Sequence, residues 1–211
     1  DLFVSKAQSL CLIGPNGAGK TTFVSLLCGR INASGGKVIF CGEDISDLPV
    51  FERISNGIGY TFQITSIFIN LTVYENVALA IRKDSSNGEE NLVSEVLSKV
   101  GLLDRIEQRS GDLSYGHQRL LELAMGMAQK PKLLILDEPT QGLSDSEIEN
   151  FKKLIKDISS STTILLIEHN MDVVMSIADN ISVLHFGEII ADGDKETIQN
   201  DPIVQKAYLG D

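Results

Sequence analysis

Gly14-Pro15-Asn16-Gly17-Ala18-Gly19-Lys20-Thr21-Thr22 is the stretch from which the fold can be read, and it fits G-x-x-x-x-G-K-[ST], the spacing of a polyphosphate-binding loop. Before it, Leu10-Cys11-Leu12-Ile13 has the apolar continuity of a buried strand; after it, Phe23, Val24, Leu26 and Leu27 fall at helical spacing. A strand passing through a glycine loop into a helix is the setting such a loop requires. The glycines let successive backbone N–H groups turn inward around an anion, and the helix presents its positive end to the same charge. In that setting Lys20 reaches the β- and γ-phosphates as a point charge, and the Thr21 hydroxyl is a ligand for Mg2+. The dinucleotide fingerprint G-x-G-x-x-G fails here, because it needs glycine where Thr22 stands.

The chain of 211 residues is long enough for one domain with a sizeable insertion. Hydrophobic residues make up 43% of it, with a mean hydropathy of +0.07, the balance of a soluble globular protein. No apolar run approaches the roughly 18 residues of a membrane-spanning helix, and the N-terminus carries no signal-peptide pattern. Eighteen basic against 29 acidic residues leave a net charge of −11, which weighs against nonspecific binding to nucleic acid or anionic lipid. Cys11, Cys28 and Cys41 are odd in number, lack C-x-x-C spacing and sit within predicted strand or helix, so they are read as small reduced core residues. Because the chain starts at Asp1, about a dozen residues before the phosphate loop, it is read as a fragment lacking its first strands.

Beyond the first helix, the turn cluster 31–36 leads into a predicted strand from Lys37 to Cys41, closed by Gly42-Glu43-Asp44. Leu48-Pro49-Val50 opens a short helix through Ile54, and Ile58 to Phe62 forms a strand ending at Gln63. The pattern then turns helical: Thr72 to Arg82, a polar loop at 84–88, and Glu89 to Val100. Ser114 reads as the N-cap of a further helix striped by Leu120, Leu123, Ala124 and Met127 and stopped by Pro131. Leu133 to Leu136 and Thr163 to Ile167 are strands of the fully buried, parallel kind, with an amphipathic helix from Ser144 to Ile158 between them. Ile181 to His185 and Glu188 to Ala191 form a hairpin turned at Phe186-Gly187, with short helices after it.

An apolar strand ending in acids is the expected second half of a phosphate-loop nucleotidase. Asp137 at the strand's carboxyl end would hold Mg2+ through water, and Glu138 would orient and polarise the attacking water. Taken alone, two adjacent acids after a strand also occur in plain surface turns.

Leu113-Ser114-Tyr115-Gly116-His117-Gln118 resembles the signature sequence of ATP-binding cassette (ABC) proteins, and it precedes a strand running into Asp137-Glu138-Pro139-Thr140, as in that family. Tyr115 and His117 stand where glycine and glutamine are commoner. The resemblance covers almost the whole chain and implies an α/β phosphate-loop nucleoside triphosphate hydrolase of ABC type: a mainly parallel sheet core with a helical insertion. Residues 1–63 and 132–211 would then be the RecA-like core and 64–131 the helical subdomain. It also implies that Ser114 and Gly116 meet the γ-phosphate held by an opposite subunit. Gln63 would contact Mg2+ and water, and His169 would sense the γ-phosphate. Gly142-Leu143-Ser144-Asp145 resembles the loop that touches the partner. Family members stack adenine on an aromatic residue well before the loop, a stretch this chain does not hold, so weak adenine binding is expected.

Gly42-Glu43-Asp44-Ile45, Leu71 to Val77, Ile167 to Met171 and the ending from Asp201-Pro202 to Gly210 look like ATPase subunits of branched-chain amino acid importers, and the urea importers share several of these. The resemblance implies a cytosolic motor on the inner face of the cell membrane, taking ATP and Mg2+. It would pair with a second ATPase subunit and act on permease subunits and, through them, a solute-binding protein; no nucleic acid is involved. A soluble cassette ATPase of translation or repair is disfavoured by the single cassette and the lack of a basic tract. A nucleotide-gated module without hydrolysis is disfavoured by Glu138 and His169, and a metabolite kinase by the signature.

Overall fold

A computed structural model describes residues 1–61, 66–81 and 89–209. In chain order they form β1 (Ser9–Ile13), α1 (Lys20–Leu27), β2 (Ile39–Phe40), β3 (Glu43–Asp44), α2 (Val50–Asn56), β4 (Ile58–Thr61), α3 (Val73–Ala80), α4 (Glu89–Lys99) and α5 (Tyr115–Ala128). The second half continues with β5 (Leu133–Asp137), α6 (Asp145–Ser159), β6 (Thr163–Ile167), α7 (Met171–Ile177), β7 (Asn180–His185), β8 (Glu188–Gly193), α8 (Lys195–Asn200) and α9 (Pro202–Leu209).

Strands that are apolar throughout must be covered on both faces. The central sheet answers this with the order β4-β5-β6-β1-β7-β8, parallel except for the β7–β8 hairpin. Alternate residues of each central strand go to opposite layers. Cys11, Ile13, Leu134, Leu136, Ile164 and Leu166 pack with Phe151 and Ile155 of α6 and Val173 and Val174 of α7. Leu10, Leu12, Leu133, Ile135, Leu165 and Ile167 pack on the other face with Val24 of α1. The order puts β1 and β5 on either side of β6, and the register pairs Leu12 and Asp137 with the same residue, Ile167. The loops that follow β1, β5 and β6 therefore leave the sheet at one edge, and this is what assembles the site.

A third apolar cluster joins α3, α4 and α5 through Val73, Val77, Val93, Leu97, Leu121 and Ala124. Helix α5 belongs to two clusters at once: Leu121, Ala124 and Ala128 face the helical one, while Leu123 joins the sheet layer. Gly126 allows that double contact, since a Cβ there would lie 3.2 Å from Leu134 Cδ1. The helix is thus wedged between sheet and helical cluster.

Several sequence expectations need correcting. The predicted strand 37–41 shortens to β2, and Glu43–Asp44, expected as the closing turn, pairs antiparallel with it as β3. Cys41 is exposed at φ 53° in that turn and is not a core residue, unlike Cys11 and Cys28. Burial pushes the Cys11 thiol up to about 12 and the Cys28 thiol up to about 11, so both are inert neutral side chains. Thr72 caps α3 from outside, its Oγ1 accepting from Glu75 N–H at 3.1 Å. Helix α7, capped by Asn170 Oδ1, has no counterpart in the sequence reading. The hairpin turn does fall at Phe186-Gly187, with φ of 48° and 83°.

Candidate functional site

The loop after β1 is built from backbone that only glycine tolerates. Gly14 (φ 155°) has no room for a Cβ, which would overlap the Leu184 carbonyl oxygen of β7. Gly17 and Gly19 take φ of 80° and 107°. Gly19 is the N-cap of α1 and supplies no side-chain bond, so the helix's first N–H groups are left for a ligand. Asn16, Gly17, Thr21 and Thr22 are exposed around this opening, whereas Ala18 is buried. Pro15 holds the loop's outer curve, its carbonyl accepting from Ala18 N–H at 3.2 Å. The β7–β8 turn braces the other side, Gly187 N–H donating to the Ala18 carbonyl at 2.8 Å. Lys20 is 8% exposed and folds back over the loop, its Nζ donating to the Gly14 carbonyl at 2.6 Å and to Pro15 at 3.2 Å. Its ammonium is thus held over the mouth of the cradle.

At the end of β5, Asp137 is 4% exposed and accepts from Tyr60 Oη at 3.1 Å. Burial raises the acid's pKa above the usual carboxylate range, and the neighbouring Glu138 adds to this; the Tyr60 bond, Arg30 and Lys20 act the other way. Burial and the Asp137 charge push the Tyr60 phenol up to about 12, so it stays a donor. Glu138 sits at φ 47°, unusual for a residue with a long side chain. Three main-chain bonds hold it there: its N–H donates to the Ile167 carbonyl at 2.9 Å, and its carbonyl accepts from Arg119 Nη2 at 3.0 Å and from Gln141 N–H at 3.2 Å. Its side chain turns toward the loop after β6, where His169 Nδ1 lies 3.8 Å from Glu138 Oε1, an ion pair whenever the imidazole is protonated. The structure thus brings Asp137, Glu138 and His169 to the sheet edge that carries the phosphate loop. Gln63 lies outside the described residues.

Ser114 caps α5, its Oγ accepting from His117 N–H at 3.3 Å and lying 3.0 Å from His117 Nδ1. Gly116 packs against Glu147 of α6, whose Oε1 would overlap a Cβ. Tyr115 lies against Gly142, where a Cβ would meet its ring at 2.9 Å. Glu147 is in turn fixed by Ser144, which donates N–H and Oγ–H to Oε2 at 2.8 and 2.7 Å. Within one chain, Ser114–Gly116 therefore touch the segment 142–147.

Two groups escaped the sequence reading. Glu168 is fully buried, and its carboxylate accepts from Thr140 and from the N–H groups of His169 and Asn170. Arg119 forms a buried ion pair with Glu122 at 3.0 Å, the same guanidinium that reaches the Glu138 carbonyl. The helical period could have found this pair, since 119 and 122 share a stripe with Leu123 and Gly126.

A family model described as "ABC transporter" matches residues 1–141, and one described as "Branched-chain amino acid ATP-binding cassette transporter" matches residues 188–211. The chain is 37% identical over 230 residues to the high-affinity branched-chain amino acid transport ATP-binding protein BraF of Pseudomonas aeruginosa, covering 100% of this chain and 90% of BraF. It is 36% identical over 214 residues to the lipopolysaccharide export system ATP-binding protein LptB of Haemophilus influenzae, covering 100% of this chain and 89% of LptB. A crystal structure of a nucleotide-free ATP-binding cassette from an ABC transporter matches with a TM-score of 0.88 at 29% identity, over 100% of this chain and 91% of that one.

Proposed function

Since the chain belongs to the ABC transporter family, we propose that it is the ATP-hydrolysing subunit of a membrane importer for branched-chain amino acids. The observation that carries the hydrolytic part is the meeting of Glu138 and His169, 3.8 Å apart, at the edge where Gly14–Thr22 opens. ATP would lay its phosphates along the N–H groups of 16–22, drawing Lys20 Nζ from the Gly14 and Pro15 carbonyls onto the β- and γ-phosphates. Glu138 would orient the attacking water and polarise it toward the γ-phosphorus, and His169 would hold a γ-oxygen.

The donors also suit Mg2+: the Thr21 hydroxyl and the buried Asp137 carboxylate, together with Gln63, would hold it. A divalent cation beside Asp137 would restore the charged form that burial disfavours. Its chemistry would be to neutralise charge on the β- and γ-oxygens.

Residues 1–63 and 132–211 would act as core and 64–131 as the moving helical part. A second copy or close relative would present its Ser114 and Gly116 to the γ-phosphate, closing two sites head to tail. Permease subunits on the cytoplasmic face of the membrane would receive the movement, with a solute-binding protein beyond them. Identity over the whole chain does not separate cargoes, since BraF and LptB match almost equally. The match of 188–211 to the amino acid transporter model favours branched-chain amino acids over urea or lipid.

Replacing Glu138 by Gln tests the hydrolytic assignment. ATP should still bind while turnover falls by about 10²–10⁴-fold, the usual contribution of a general base. Unchanged turnover would remove Glu138 from that role. Loss of leucine uptake on deleting the chain, with urea uptake intact, supports the cargo; the reverse result excludes it.

A further inference from the structure

The loops after β5 and β6 are joined by one carboxylate whose two oxygens serve different loops. Glu168 Oε1 accepts the Thr140 N–H at 3.1 Å and the Thr140 hydroxyl proton, while Oε2 accepts the N–H of His169 at 3.0 Å and of Asn170 at 3.3 Å. Glu168 is 0% exposed and Thr140 6%, so water does not compete for these bonds. Burying a carboxylate is costly unless donors surround it, and hydroxyl or apolar side chains could close a strand end without that cost. A carboxylate adds geometry here: each oxygen is fixed by one loop, so neither loop can shift without pulling the other.

What the two loops carry makes the link functional. On the β6 side, His169 comes directly after Glu168 and faces Glu138. On the β5 side, Thr140 begins the segment that continues through Gln141 and Gly142 to Ser144. Leu143 N–H returns to the Thr140 carbonyl at 3.2 Å, Gly142 lies against Tyr115, and Ser144 caps α6.

We infer that Glu168 is a positioning residue that makes His169 and the segment 140–144 move as one body, so that the presence of a γ-phosphate at His169 is relayed to the surface that meets a second subunit. The inference rests on the assignment of His169 and on the head-to-tail second subunit under the proposed function. When the γ-phosphate leaves, His169 relaxes, its N–H shifts against Glu168 Oε2, and the carboxylate draws Thr140 with it. No proton or bond needs to be exchanged.

The test uses the full chain and reads ATP affinity, turnover and melting temperature together. In Glu168→Gln an NH2 replaces one acceptor, so one loop loses its bonds. Turnover should fall about 10–100-fold while ATP affinity stays within about threefold, the pattern of a group that orients others. Thr140→Val should lose turnover about fivefold, and Thr140→Ser, which keeps the hydroxyl, should restore it; this pair serves even if the Glu168 variant folds poorly. On a His169→Ala background, Glu168→Gln should cost less than about threefold more, because both act on one step. The relay is overturned if Glu168→Gln leaves turnover intact, if affinity and turnover fall together, if Val and Ser at 140 behave alike, or if the losses at 168 and 169 multiply. If His169→Ala itself hydrolyses normally, the site assignment fails and the relay falls with it; if only the 168 and 140 variants are silent, the relay alone fails.

Discussion

Helices α1 and α5 both begin where an anion is expected, yet their first turns are finished in opposite ways. Helix α1 starts from Gly19, which has no side chain to cap it, and Lys20 waits buried over the loop carbonyls. Helix α5 starts from Ser114, whose hydroxyl already accepts the His117 N–H, and its second residue, Gly116, is packed under Glu147. Among the described residues the first end has no side-chain cap, and the second is closed upon itself. Under the proposed function, a single chain would therefore hold a polyphosphate at α1 with groups already in place. On the same reading, Ser114–Gly116 would have to exchange these internal contacts for external ones when another subunit delivers the ligand.

The contrast breaks most visibly at Lys20. Replacing it with Met should weaken ATP binding by about 100-fold or more, because the charge-assisted bonds to two phosphates disappear. Melting temperature should move little, as Lys20 donates only to carbonyls of its own loop. Nucleotide-binding titration beside a thermal melt decides it: retained affinity would show that the backbone cradle alone binds ATP.

How far this contrast could be foreseen depends on where each group finds its partners. The cradle is a local string of residue types, and the buried runs Leu10–Ile13, Leu133–Leu136 and Ile164–Ile167 are fully apolar, so loop, sheet and order of acids were all legible. Glu168 was not, because its partners are backbone N–H groups from two loops and the hydroxyl of Thr140, 28 residues away, which no local sequence pattern records. The shared stripe with Leu123 and Gly126 hinted at Arg119 and Glu122, but a charged (i, i+3) pair reads as exposed until α5 is seen wedged between two apolar clusters. The Glu43–Asp44 strand carries no β-forming residues and exists only through its pairing with Ile39–Phe40.

A smaller effect is expected at the closed end. Ser114→Ala removes the cap of α5 and should cost about 1 kcal/mol of stability, or about 2–4 °C in a chain of this size. Turnover should fall about tenfold while ATP affinity of the isolated chain is unchanged. An equal loss of affinity in the isolated chain would mean that Ser114 serves its own nucleotide, and the contrast between the two helix ends would collapse.

The smallest effect has the opposite sign and tests whether the open end is held open at a cost. Burial raises the pKa of Asp137 above its unfolded value, so the stability linked to this group is whole below about pH 3.9 and is lost as pH rises through the raised folded value. At neutral pH the nucleotide-free fold carries this charge at a loss. Asp137→Asn removes the charge and keeps an acceptor for the Tyr60 hydroxyl. Without nucleotide or Mg2+ the variant should melt about 1–2 °C higher at pH 7, a gain of about 0.5 kcal/mol, although its turnover should be lost. The gap between variant and parent should close as pH falls toward 4, since protonation gives the parent the same neutral group. Melting curves that run parallel from pH 4 to pH 8 would show that Asp137 is already compensated in the empty protein, and that strain is not what distinguishes the cradle at α1 from the capped end of α5.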